Sequence, residues 1–256
     1  MKRSILLIAI FCLGLAASAQ QIPEGYERVL LPVFTPAIHG AHGSLFYSDF
    51  RLMNRGSESL TAYGIFEECM ILCPEDPLLQ FELEPGVIEE AADFYKKGSP
   101  GWFLLVPGDR KDDLVMQLRA YDESRESTNF GTEIPVVHAD EMRPDEITLL
   151  GVPTDSRFRN TLRIYSTHQQ PMHVTVENAS GLLVDQVEHL SSPTRVLDPA
   201  YAAFVQFPAN AGPVRVRVWS ALPEIVTPPV TVPDFWAFIT VTNNDTQHIT
   251  VISPQR

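Results

Sequence analysis

His39 and His42 stand three residues apart in the glycine-rich segment His39-Gly40-Ala41-His42-Gly43-Ser44. A transition metal uses such a pair when a third donor, for example an acidic side chain from another loop, completes the set. A plain turn is the simpler reading of so much glycine. Pro107-Gly108-Asp109-Arg110-Lys111-Asp112-Asp113 gathers carboxylates as a calcium loop does. Arg110 and Lys111 interleave the opposite charge, which fits a solvated hairpin tip better. Trp102, Trp219 and Trp236 are large enough to stack on sugars or peptides. Trp102 and Trp236 sit in the apolar runs Trp102-Phe103-Leu104-Leu105-Val106 and Phe235-Trp236-Ala237-Phe238-Ile239, so core filling is expected for both. Trp219 is left as the exposed candidate. Arg51 and Arg163 occupy equivalent places in two similar stretches. A paired binding role is conceivable, although an arginine stem lying along a strand and meeting a cross-strand acid is commoner.

Motif enzymology finds no foothold. The chain has no Gly-x-Ser-x-Gly elbow, no His-Glu-x-x-His pair, no phosphate-cradling glycine loop and no Cys-x-x-Cys. No catalytic, metal or cofactor-binding residue is therefore assigned from the sequence, and no cofactor is expected. Glycosidases escape this argument, because their two carboxylates are brought together by the fold at no fixed spacing.

The residues that could do chemistry lie in an acidic, exported context. The 256 residues carry 19 Lys+Arg against 32 Asp+Glu, a net charge of −13. Lys2 and Arg3, an apolar run over Ile5 to Leu15, and Ala17-Ser18-Ala19 read as an export signal cleaved before Gln20. The apolar run is shorter than the roughly 20 residues of a membrane span. Removing Lys2 and Arg3 leaves 17 cationic side chains against 32 acidic ones, a balance of −15. Such a surface repels nucleic-acid phosphates and gives no attraction to anionic lipid. The expectation is a secreted or periplasmic protein with no membrane span and no nucleic-acid partner.

After the signal, Cys69 and Cys73 remain. An oxidising compartment suggests a disulfide between them. In an extended strand their Cα atoms would lie roughly 13 Å apart, too far to bridge, so the bond requires a turn. Two free thiols and metal ligation are the alternatives.

The elements that position these residues are short strands. Met172, Val174 and Val176 alternate with polar neighbours, as do Val214, Val216 and Val218. Period-two patterning puts one face on a core and the other in water. One short helix is expected over Val87 to Lys97, with Glu89 and Glu90 near its start and Lys96 and Lys97 near its end. A helical turn is expected over Asp198 to Phe204. The second half restates the first: Phe46, Phe50, Arg51 and Leu52 reappear as Phe158, Leu162, Arg163 and Ile164. The predicted layout is a signal at 1–19 and two β-sandwich domains at 20–138 and 139–256, each the size of an immunoglobulin-like sandwich. One larger sandwich is the alternative.

The pattern resembles exported bacterial proteins built of tandem immunoglobulin-like β-sandwich modules, an uncharacterised family. The residues that carry the resemblance are Phe50-Arg51-Leu52, Pro85-Gly86 and Ile134-Pro135 in the first half. In the second they are Leu162-Arg163-Ile164, Asp198-Pro199 and the ending from Ile249 to Pro254; Pro199 lacks the following glycine. The resemblance implies an all-β fold and an extracytoplasmic location, with no known reaction or ligand. The leading expectation is a non-enzymatic interaction or structural module of the cell envelope or extracellular space, with an unidentified protein or glycan partner. The alternative is a carbohydrate-active hydrolase or glycan-binding module using scattered acidic and aromatic residues.

Overall fold

The computed structural model describes residues 22–33, 38–65, 78–90, 101–125, 130–193, 197–222 and 232–254. Residues Ala17, Ala19 and Gln20 of the expected cleavage site lie outside the described residues, as do Cys69 and Cys73.

Alternating residues fold as strands. The first half holds β1 (Tyr26–Pro32), β2 (Ile38–His39), β3 (Leu45–Asn54), β4 (Leu60–Ile65) and β5 (Leu78–Leu83). It continues with β6 (Ile88–Glu90), β7 (Gly101–Pro107), β8 (Leu114–Asp122), β9 (Thr132–Ile134) and β10 (Val137–His138). The second half holds β11 (Ile147–Val152), β12 (Phe158–Ser166), β13 (Pro171–Asn178) and β14 (Gly181–His189). After these come β15 (Ala200–Phe204), β16 (Val214–Ser220), β17 (Phe235–Asn243) and β18 (Ile249–Ile252). The fold is all-β, and every ladder between these strands is antiparallel. On β13 and β16 the alternating Met172, Val174, Val176, Val214, Val216 and Val218 are buried. The intervening Arg215 and Arg217 reach acids on the other face.

Both helical expectations meet strands instead. Ile88–Glu90 pairs with Arg51–Met53, so the start of the expected helix is β6; residues 91–97 of it lie outside the described residues. Ala200–Phe204 is β15 on β12, with Ala200, Ala202 and Phe204 buried. Ala-Tyr-Ala-Ala-Phe satisfies period two as well as a helical turn, and the open edge of β12 decides between them.

The restatement in sequence is also one of topology. The first half has the sheet orders β10-β1-β7-β4-β5 and β2-β3-β8-β9, with β6 also on β3. The second has β11-β16-β13-β14 and β15-β12-β17-β18. With the two-residue strands β2 and β10 set aside, both halves read first-sixth-third-fourth in one sheet and fifth-second-seventh-eighth in the other.

Among the described residues the core forms two apolar clusters. One lies between the sheets of the second half, around Leu162, Ile164, Val174, Val216, Phe235 and Ile239. The other fills the first half and extends across to Tyr165, Leu197, Trp236, Phe238 and Ile249 of the second. β17 belongs to both: Phe235, Ala237 and Ile239 face the second cluster, while Trp236 and Phe238 face the first. This explains why Phe235 to Val241 is buried without interruption, the mark of a strand covered on both faces.

Candidate functional site

The outer face of the β15-β12-β17-β18 sheet carries Arg159, Thr161, Arg163 and Tyr165 on β12, opposite Thr242, Thr240, Phe238 and Trp236 on β17. One end of that face is aromatic, and there the halves dock. Tyr165 is fully buried, 5.1 Å from the Tyr201 ring and 6.3 Å from Phe238. Its hydroxyl accepts the Val33 N–H at 3.3 Å. The Phe103 N–H donates to the Leu197 carbonyl at 2.8 Å. Gly101 makes this close approach possible: at φ 155°, a Cβ there would lie 2.9 Å from the Tyr165 ring. Burying an aromatic removes roughly 150–250 Å² from water, or about 4–6 kcal/mol apiece for Trp236 and Phe238 before ordering entropy is subtracted.

Towards Arg159 the face turns polar, and there Thr132 Oγ1 of the first half donates to the Ile249 carbonyl of the second at the edge of a gap between the halves. A cleft of about 550 Å³ opens there. Its second-half wall includes Arg159, Thr161, Arg163, Thr240 and Phe207, and its first-half wall includes Val33, Ile38, Phe46 and Ile134. That volume lies within the range of small-molecule sites, roughly 300–1,000 Å³.

The turn between β17 and β18 presets Arg159. Asn243 Oδ1 accepts the Asp245 and Thr246 N–H groups at 2.9 and 3.0 Å, which curls the turn. Asn244 Oδ1 and Gln247 Oε1 then accept from Arg159 Nη1 and Nη2 at 2.7 and 2.8 Å. Burial lowers the affinity of this guanidinium for its proton from the ordinary value. Arg163 Nη1 donates to Thr240 Oγ1, and the nearby positive charge opposes the upward shift that burial gives the Tyr201 hydroxyl. Both arginines rest on neutral oxygens. Arg51, Arg110, Arg157, Arg215 and Arg217 instead meet carboxylates. Asp155 is the one carboxylate in the described lining of the cleft, and Arg157 holds it at 2.9 Å. Asn160 donates to the Pro153 carbonyl at 2.5 Å, while its buried Oδ1 has no partner.

The first-half wall carries strain. Val33 sits at φ 57°, a left-handed conformation that a β-branched residue rarely adopts. Its N–H is held by Tyr165, and its carbonyl accepts from Ser48 Oγ at 2.7 Å. Two partners from separate elements over-determine the conformation, which costs on the order of 1–3 kcal/mol.

The residues singled out by sequence fare differently. His39 and His42 are exposed, and their segment reaches the cleft rim through Gly40 and Ala41. Among the described residues no group of three or more His, Cys, Asp or Glu is arranged to hold a metal ion. The acidic loop is a 3₁₀ turn at Gly108–Asp113, tied down by Arg110 to Asp113 and by Lys111 to Asp140 and Glu27. Trp102 and Trp236 are buried; Trp219 is half-buried, stacked at 4.3 Å on His173 with Arg217 5.3 Å from its ring. Arg51 lies on the surface between Asp49 and Glu90, whereas Arg163 lines the cleft. Sequence reasoning missed Arg159, Thr161 and Thr240. The available signal was the spacing Arg159-x-Thr161-x-Arg163, which puts three polar side chains on one strand face beside the repeated motif.

Compared with known proteins, the chain matches no family model and no curated sequence. Among the described residues no helix is long and apolar enough to cross a membrane.

Proposed function

We propose that the protein is an exported, non-enzymatic binding module of the cell envelope or extracellular space, made of two tandem β-sandwich domains at 20–138 and 139–256 behind a cleaved signal. The reading that the modules are immunoglobulin-like draws support from two central pairings of that fold. The second strand lies beside the fifth and the third beside the sixth. The first strand lies beside the sixth instead of the second, and the seventh beside the second, so the outer strands are exchanged between sheets. Kinship with exported tandem-sandwich proteins rests on the repeated Phe50-Arg51-Leu52 and Leu162-Arg163-Ile164 stretches.

The observation that carries the binding role is the cleft, because neither half makes it alone. Val33, Ile38 and Phe46 come from one half and Arg159, Arg163 and Phe207 from the other. Tyr165 and the surrounding aromatics hold the two walls in register, which lowers the cost of ordering a site on binding. A two-carboxylate hydrolase needs a facing pair about 5–10 Å apart; Asp155, bound to Arg157, is a poor member of one.

Native mass spectrometry of the protein recovered from its own extracytoplasmic space tests this. The expected result is a small molecule retained at one per chain, chemically unchanged after prolonged incubation, and absent from a Thr161→Trp variant of unchanged melting temperature. Turnover of the retained molecule, or equal retention by Thr161→Trp, refutes the proposal.

A further inference from the structure

The cleft joins a polar floor to apolar walls within an acidic protein. Its floor presents two guanidinium groups with no carboxylate among the described residues in ion-pair contact with either. Arg159 is engaged by two amide oxygens and Arg163 by the Thr240 hydroxyl. Neutral acceptors orient a planar fork and leave its charge uncompensated. Thr240 adds to this: its oxygen accepts from Arg163, so its own hydrogen is directed elsewhere and remains a donor. The walls are Phe46, Phe207, Ile38 and Ile249, which accept hydrocarbon and reject a fully hydrated ion. Arg159 and Arg163 are four residues apart on one strand face, about 13 Å between Cα atoms, so the cationic floor is elongated.

From this geometry we infer that the cleft binds an amphipathic organic carboxylate, a small molecule with an acyl or aromatic body, its carboxylate seated on Arg163 and Thr240, with Arg159 adding positive charge further along the floor, and its body between Phe46 and Phe207. The inference rests on the proposed binding role of the cleft and specifies its ligand class. An inorganic anion would leave the apolar walls unfilled. A neutral lipid would leave two guanidinium charges in a partly desolvated site without a counter-charge, which is costly.

Calorimetric titration of the full chain with decanoate and 4-phenylbutyrate, and with decanol and 4-phenylbutanol as uncharged counterparts, tests this. At least one carboxylate is expected to bind about tenfold or more tightly than its alcohol, the discrimination typical of a charge-assisted hydrogen bond. Arg163→Gln should weaken the carboxylate about tenfold and the more distant Arg159→Gln by less, both leaving the alcohol unchanged. Arg163→Lys, which keeps the charge but loses the fork, should fall between wild type and Arg163→Gln. Raising the salt should weaken the carboxylate only. Equal binding of carboxylate and alcohol, insensitivity to both glutamine variants, or no binding of either carboxylate at millimolar concentration overturns the inference. Carboxylate binding that survives Thr161→Trp places the ligand elsewhere and overturns it too. If the native protein retains some other molecule in the cleft while both carboxylates fail, the ligand class falls and the binding role stands.

Discussion

Replacing Tyr165 with alanine should separate the two halves energetically. The side chain has no exposure and lies against Tyr201, Phe238 and Gly101. Deleting a buried aromatic costs about 3–5 kcal/mol in transfer and cavity terms. Losing the acceptor for the Val33 N–H adds about 0.5–1.5 kcal/mol, with the lower part of that range apt for a 3.3 Å bond. The expected total of about 4–6 kcal/mol is a large fraction of a domain's usual stability of about 5–15 kcal/mol. Tyr165→Phe keeps the ring and should cost only about 0.5–1.5 kcal/mol. Denaturant unfolding followed by tryptophan fluorescence is the assay, since Trp236 lies 4.8 Å from Phe238 on the same face. Calorimetry of Tyr165→Ala should resolve two transitions where the native chain gives coupled unfolding. A loss below about 1 kcal/mol for alanine, or equal losses for alanine and phenylalanine, would refute the claim that this face holds the halves together.

Three further outcomes are expected. Asn54 is fully buried, donates to the Leu83 and Glu58 carbonyls at 2.9 and 2.8 Å, and accepts the Gly56 N–H at 2.9 Å. Asn54→Ala should therefore cost about 2–4 kcal/mol in urea unfolding, and Asn54→Asp should be no milder, because a carboxylate cannot donate to two carbonyls. The Arg217 guanidinium, hydrogen-bonded to Glu146, holds that carboxyl below its ordinary value of 4.5. Its contribution is thus complete above the unfolded value and lost as pH falls through the depressed folded one, so melting temperature should drop on acidification below about 4.5, and less steeply in Glu146→Gln. Burial raises both Tyr165 and Tyr201 above the ordinary tyrosine value of 10.0. Ultraviolet titration should find both protonated where exposed tyrosines ionise, until alkaline unfolding releases them together; tyrosinate from all seven tyrosines before unfolding would contradict that burial.

Local pattern and duplication were legible without coordinates. Apolar residues recurring every second position require a two-faced element, so Met172, Val174 and Val176 marked a strand. The repeated Phe-Arg-Leu-like stretch became β3 and β12, in the same place of the same strand order. Where local pattern was ambiguous, as at 88–90 and 200–204, pairing partners distant in sequence chose strand over helix. The cleft was decided by tertiary structure alone. Arg51 and Arg163 are equivalent by sequence, yet Arg51 meets Asp49 and Glu90 in water while Arg163 lies between two halves. A strand's alternation reports which residues share a face; what that face meets depends on how whole sheets dock, and that is set by distant surfaces such as Gly101, Trp236 and Phe238.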